Sequence, residues 1–248
     1  MNNISTYIKQ RLSLREPLAE ALEVLTKLVD KLSLSKPDKQ ENKEAEEAEY
    51  KEYLENQLQS IKEVCPSCRD FERDFPSFAF SIATGIGKTR LMGACIAYLY
   101  LTKGIKHFFI LAPNLTLYEK LMRDFGDPSY EKYVFKGISE FVHNEPYVIT
   151  GDNYNMARNL FSENQIQINI FNISKFNTES KEGGKKGAPK MRRLSEYLGQ
   201  SYFDYLSSLD DLVILMDEAH RYHADASKKA INELRPILGL EMTATPTD

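Results

Sequence analysis

The stretch "SIATGIGKTR", residues 81–90, places Gly87, Lys88 and Thr89 at the right-hand end of the phosphate-loop pattern G-x-x-x-x-G-K-[ST]. The left-hand Gly of that pattern is replaced by Ile82, so the loop has to be judged by its physics and by its flanking residues. "FAFSIAT" ahead of it is an apolar run that predicts a buried strand. "KTRLMGACIAYLYLTKG" behind it has apolar residues at helical spacing and ends on Gly104, a C-cap residue. Glycines between a strand and a helix N-terminus offer free N–H groups and the positive end of a helix dipole to an anion. Gly85 and Gly87 let backbone close on phosphate oxygens, Lys88 would reach the β- and γ-phosphates, and the Thr89 hydroxyl would ligate Mg²⁺. Residues Thr84, Gly85, Ile86, Gly87, Lys88, Thr89 and Arg90 form the expected ATP-binding set.

A second stretch supplies the acids. In "DLVILMDEAHRYH", 211–223, five apolar residues from Leu212 to Met216 predict a buried strand with Asp217 and Glu218 at its C-terminal end. Ligands of open α/β sheets bind at the carboxyl ends of strands, the edge on which the phosphate loop must also lie. Asp217 would hold the Mg²⁺ shell, and Glu218 would orient and deprotonate the attacking water. Two acids at a strand-to-helix junction could merely favour the helix dipole, but their pairing with the loop favours chemistry.

The elements that must position these groups show a rhythm from residue 78 onward. Strand-like runs occur at "FAFSIA", "HFFILAP", "YVIT", "IQINIFNI", "DLVILMD" and "ILGLEMTA", separated by helical or loop segments. That alternation predicts an α/β domain with a mostly parallel sheet and helices on both faces. Residues 14–34 are expected to be helical, with Pro17 in the first turn. The Glu/Lys-rich stretch 36–63 reads as a solvated helix or charged loop without chemistry. The division expected is a helical N-terminal segment over 1–77 and the ATP-binding domain over 78–248. "NTESKEGGKKGAPKMRR", 177–193, is a basic, Gly-rich loop interrupting the alternation.

A net charge of −4 excludes a uniform electrostatic footprint for nucleic acid, so any DNA contact must be local. No run reaches transmembrane length and the N-terminus lacks a signal-peptide core, so a cytoplasmic chain without a membrane partner is expected. Three cysteines fit a reducing compartment. "CPSC", 65–68, has the spacing of half a zinc knuckle, but a tetrahedral site needs four ligands. No zinc is expected unless ligands come from beyond residue 248.

"ATGIGKT", "DEAH" and "TATP", in that order, resemble motifs I, II and III of the superfamily 2 helicases and translocases, and "ILAPNLTLYEKL" is similar to their motif Ia. The finer resemblance is to the Res subunit of type III restriction enzymes, whose loops commonly read M-A-T-G-T-G-K-T, with an apolar residue at the place of Ile82. "DEAHRYHADASKKAINELRPILGLEMTATPT" resembles that family almost throughout. "LREPLAEAL" resembles the adenine-recognising segment, with Leu18 where the usual Gln falls, a departure that bears on adenine selectivity. The resemblance implies a RecA-like P-loop NTPase fold, ATP and Mg²⁺ as cofactors, and double- or single-stranded DNA as partner, with a modification subunit as a further one. It implies a DNA contact at Pro113, Asn114 and Thr116, where "APNLT" leaves a strand tip and opens a helix. The basic residues Lys185, Lys186, Lys190, Arg192 and Arg193 are a second candidate, weighed against a plain solvated loop. His220, Thr243 and Thr245 are implied as residues coupling the nucleotide site to the DNA track. Such motors have two RecA-like domains, the second supplying an arginine finger, and only the first is expected in this chain. Other superfamily 2 motors, of DNA repair or type I restriction, and a regulatory nucleotide-binding module without turnover remain as alternatives.

Overall fold

The structure is a computed structural model that describes residues 3–37, 42–151, 153–154, 165–173, 200–218 and 225–244. Three helices come first: α1 (Asn3–Arg11), α2 (Glu16–Val29) and α3 (Lys43–Lys62). Next come β1 (Ser77–Ser81), α4 (Lys88–Lys103), β2 (His107–Ala112), α5 (Leu115–Gly126), α6 (Ser139–His143), β3 (Tyr147–Thr150) and β4 (Gln167–Asn172). The last described elements are α7 (Gln200–Ser208), β5 (Leu212–Asp217), α8 (Asp225–Glu233) and β6 (Leu238–Thr243).

The six strands make one parallel sheet in the order β1-β6-β5-β2-β4-β3. Strand alternation splits the apolar residues between its faces. Phe108, Ile110, Val213, Leu215, Leu240 and Met242 join a core with α1, α2, α4 and α5. Phe109, Leu111, Ile214 and Met216 join the opposite core with α7 and α8 through Tyr202, Leu206, Ile231 and Leu234. This is the RecA-like α/β arrangement. Strands buried on both faces cannot show polar alternation, which is why β2 and β5 read as continuous apolar runs. Among the described residues no helix is long and apolar enough to cross a membrane.

Two expectations are refined. "FAFSIA" forms a strand, but β1 is an edge strand whose Ala79 and Ser81 are exposed, so it is not fully buried. Apolar composition cannot separate edge from centre when a neighbouring helix covers one side. The N-terminal helix ends at Val29 rather than near residue 34, and Pro17 does lie in its first turn. Its buried stripe, Leu18, Leu22, Leu25 and Val29, belongs to the same core as α4. The Glu/Lys-rich stretch forms α3, capped by Asn42 and buried only at Gln57 and Ile61.

One buried ion pair ties the lead-in to β1 onto β6. Arg73 Nε donates to Glu241 Oε1 at 2.7 Å and Nη2 to Oε2 at 3.3 Å, with both side chains at most 3% exposed. Removing one partner strands the other charge in the interior. Glu241→Ala is expected to lower the unfolding free energy by about 3–5 kcal/mol in urea titration. Lys31→Ala, at the exposed Lys31–Glu63 pair, should leave the midpoint nearly unchanged. Equal effects from the two would contradict the burial argument.

Candidate functional site

The site is built by three neighbouring strand ends. β6 lies between β1 and β5, pairing Ser81 with Thr243 and Asp217 with Met242. Past the strand ends, the Ile82 amide donates to the Thr243 carbonyl and the Glu218 amide to the Met242 carbonyl, both at 2.8 Å. The start of the phosphate loop and the acidic turn are thus fixed on opposite sides of one strand. Ile82 is buried, so the position where the general pattern has Gly is used as a core anchor.

The loop then turns on its glycines. Gly85 has φ +78° and Gly87 has φ +122°, conformations that residues with a Cβ rarely adopt. Gly87 is the N-cap of α4, and a Cβ there would stand 3.3 Å from Leu18. α4 therefore points its free N–H groups into a cleft of about 670 Å³. Thr84, Gly85, Ile86, Gly87, Lys88, Thr89 and Arg90 all line that cleft, together with Asp217 and Glu218.

Across it, Lys88 Nζ makes a close ion pair with Glu218 Oε1 and lies 4.0 Å from Asp217 Oδ1. The second distance is an ion-pair contact and not a hydrogen bond, and Asp217 Oδ1 is buried with no hydrogen-bond partner. Burial pushes the Asp217 carboxyl above its ordinary value, with Lys88 opposing the shift and Glu218 adding to it. Glu218 adopts φ +55°, a left-handed conformation uncommon for a side-chain-bearing residue and concentrated at functional sites. A buried carboxylate oxygen without a partner, in the same cleft as the Thr89 hydroxyl, fits a hard cation that takes oxygen ligands and shares them with phosphate. Among the described residues no group of three His, Cys, Asp or Glu could form an all-protein metal cage. Cys65 and Cys68 sit half-buried in a turn with Cys68 N donating to Cys65 O, and Cys95 is buried in α4.

The remaining expected residues are distributed unevenly. Asn114 is the N-cap of α5, with Oδ1 accepting from the Leu117 amide at 2.9 Å. Thr116 is exposed on the first turn, whereas Pro113 is buried. Thr243 is buried at the end of β6. His220, Thr245 and the basic loop around Lys185, Lys186, Lys190, Arg192 and Arg193 lie outside the described residues.

The cleft also contains groups that motif spacing does not reveal. The turn between α1 and α2 is fastened to the loop: Arg90 Nη1 donates to the Leu12 carbonyl at 2.9 Å, and Arg15 Nη1 to the Gly85 carbonyl at 3.5 Å. Lys120 of α5 donates to Thr89 Oγ1 at 2.8 Å and to Asp124 Oδ2 at 2.6 Å. The Lys120–Asp124 spacing of four is visible in the sequence, but such pairs are commonplace on solvated helix faces.

A model of the family described as "Type III restriction enzyme, res subunit" matches residues 24–248. The chain belongs to that family. The probable type III restriction-modification enzyme HindVIP Res subunit of Haemophilus influenzae is 28% identical over 173 residues, 65% of this chain and 29% of the relative. This chain therefore spans less than a third of that relative's length. Among solved structures, the Sulfolobus solfataricus SWI2/SNF2 ATPase core in complex with dsDNA is similar over 87% of this chain and 34% of that one, at 12% identity and TM-score 0.40. A nuclease-deletion mutant of the Type ISP restriction-modification enzyme LlaGI in complex with a DNA substrate mimic is similar over 85% and 18%, at 14% identity and TM-score 0.40. Both likenesses are too distant to carry an argument about this chain. As a Res-type member of superfamily 2, the chain presents the first RecA-like domain. The family is one of ATP-dependent hydrolases.

In this Res-type site the buried acid costs stability. Asp217 holds its proton more tightly folded than unfolded, so stability falls as pH rises from the ordinary value of 3.8 through the raised one. Asp217→Asn removes that fall. Its unfolding free energy should vary less with pH above 3.8, and its Tm at pH 8 without nucleotide should exceed the parent's. A lower Tm for Asp217→Asn, measured by calorimetry, would show that the carboxylate is net stabilising there.

Proposed function

We propose that this chain is the ATP-binding half of an ATP-dependent DNA helicase or translocase of a type III restriction system. The observation that carries the reading is Lys88 of the phosphate loop meeting Asp217 and Glu218 across the width of β6.

In this reading the loop amides and the α4 N-terminus cradle the phosphates of ATP. Lys88 leaves Glu218 for the β- and γ-phosphates. The opened pair frees Glu218 to orient the attacking water and take its proton. Thr89 and Asp217 would hold Mg²⁺, which when bound neutralises phosphate charge. Leu18 and Arg15 would border the adenine base, and among the described lining residues no side-chain amide is available to read it. An arginine from a second RecA-like domain completes the site, and a modification subunit directs the motor to its DNA. The DNA backbone is met at the start of α5, where Thr116 is exposed on the first turn. The Thr243 end of β6 links the two sites. A regulatory module without turnover is the weaker reading, since Lys88, Asp217 and Glu218 stand together in one cleft.

Lys88→Ala should abolish nucleotide binding in calorimetry, whereas Glu218→Gln should bind and fail to hydrolyse. Turnover by this chain alone should run about 10³–10⁵ below an arginine-completed site. ATP affinity unchanged in Lys88→Ala would remove the loop from the mechanism.

The DNA contact is tested by Asn114→Asp, because Asp preserves the helix cap while adding a charge that repels phosphate. In a longer protein carrying both RecA-like domains, this variant should keep its Tm and ATP affinity and lose DNA affinity, most at low salt. Equal DNA affinity for variant and parent would take the start of α5 off the track.

A further inference from the structure

One cation in the cleft has no part in the ATP chemistry proposed for Lys88, Asp217 and Glu218. Lys120 projects from α5 onto the phosphate loop, its ammonium donating to Thr89 Oγ1 at 2.8 Å and to Asp124 Oδ2 at 2.6 Å. Its side chain is 42% exposed, on a stem that can swing away. Its partner cannot accompany it: the Asp124 side chain is 4% exposed, and Asp124 Oδ1 is buried with no hydrogen-bond partner. The acceptor that Lys120 holds is the same hydroxyl that the nucleotide reading, on which this inference rests, gives to a divalent cation. An ammonium and a divalent cation on one oxygen are like charges within a few ångströms, so the two compete.

We infer that Lys120 is a positioning residue that keeps the cation place at Thr89 in the nucleotide-free protein and gives it up when a divalent cation arrives. Asp124 is the buried anchor that holds the ammonium within reach. Lys120 thus sets how strongly nucleotide binding depends on Mg²⁺. Without Mg²⁺ its positive charge stays beside the phosphates and supports binding. With Mg²⁺ the same charge opposes the metal.

The test is titration of the 248-residue chain with a fluorescent ADP analogue, in excess Mg²⁺ and in excess chelator. The quantity read is the ratio of the Kd in chelator to the Kd in Mg²⁺. Lys120→Met should raise that ratio by about two- to fivefold, the size of one solvent-screened charge contact. Lys120→Gln should do the same, and Lys120→Arg, which keeps the charge, should stay near the parent. A merely structural role would move Tm and both Kd values together, leaving the ratio fixed. A ratio in Lys120→Met and Lys120→Gln equal to or below the parent's overturns the inference. Lys88→Ala separates this from failure of the nucleotide reading: if the parent does not bind, or Lys88→Ala binds as the parent does, the reading falls and the inference with it.

Discussion

The width of one β-strand sets the chemistry of this domain. β6 is hydrogen-bonded to β1 on one side and β5 on the other, so the phosphate loop and the acidic turn stand two inter-strand spacings apart, about 9.6 Å at the backbone. Lysine and glutamate side chains bridge that gap directly, and Lys88 and Glu218 do so. The backbones that carry these groups are held in place, because the Ile82 and Glu218 amides are both bonded to β6 carbonyls. Slipping β6 by one residue would turn Leu240 and Met242 out of the core, so packing and site geometry are enforced together.

The second consequence is electrostatic. Two of the cleft's lysines answer to other protein groups: Lys88 to Glu218 and Asp217, Lys120 to Asp124 and Thr89. The unsatisfied remainder falls on the carboxylate oxygens Asp217 Oδ1 and Asp124 Oδ1. Buried oxygens without partners are costly, and they are tolerated where function needs a site ready for a cation. The left-handed backbone of Glu218 is a related compromise, held by the β6 carbonyl that anchors its amide.

Much of this architecture is legible in the sequence. All six strand-like runs form strands, because residues such as Leu212 to Met216 are apolar on both faces and flanked by turns. The two motif stretches fall at the same edge of the sheet, at the ends of β1 and β5 on either side of β6, as the crevice rule for α/β sheets demands. The features that stay hidden depend on long-range placement. Ala79 looks like core and is exposed on an edge strand. Leu18 and Arg15 lie some seventy residues before the loop whose cleft they line; the family resemblance of "LREPLAEAL" marks the segment, but nothing in its composition places it against that loop. Lys120 and Asp124 resemble an ordinary surface pair until α5 lays them against Thr89. Asn114 reads as a phosphate contact, yet its oxygen caps α5, a competing use that the same residue type serves equally well.

The most direct test of the nucleotide assignment is a crystal structure of this chain with Mg²⁺ and a non-hydrolysable ATP analogue. The account predicts phosphates against the Gly85–Thr89 backbone, Lys88 moved from Glu218 onto them, and the metal between Thr89 and Asp217. An intact Lys88–Glu218 pair with the nucleotide bound elsewhere would contradict it.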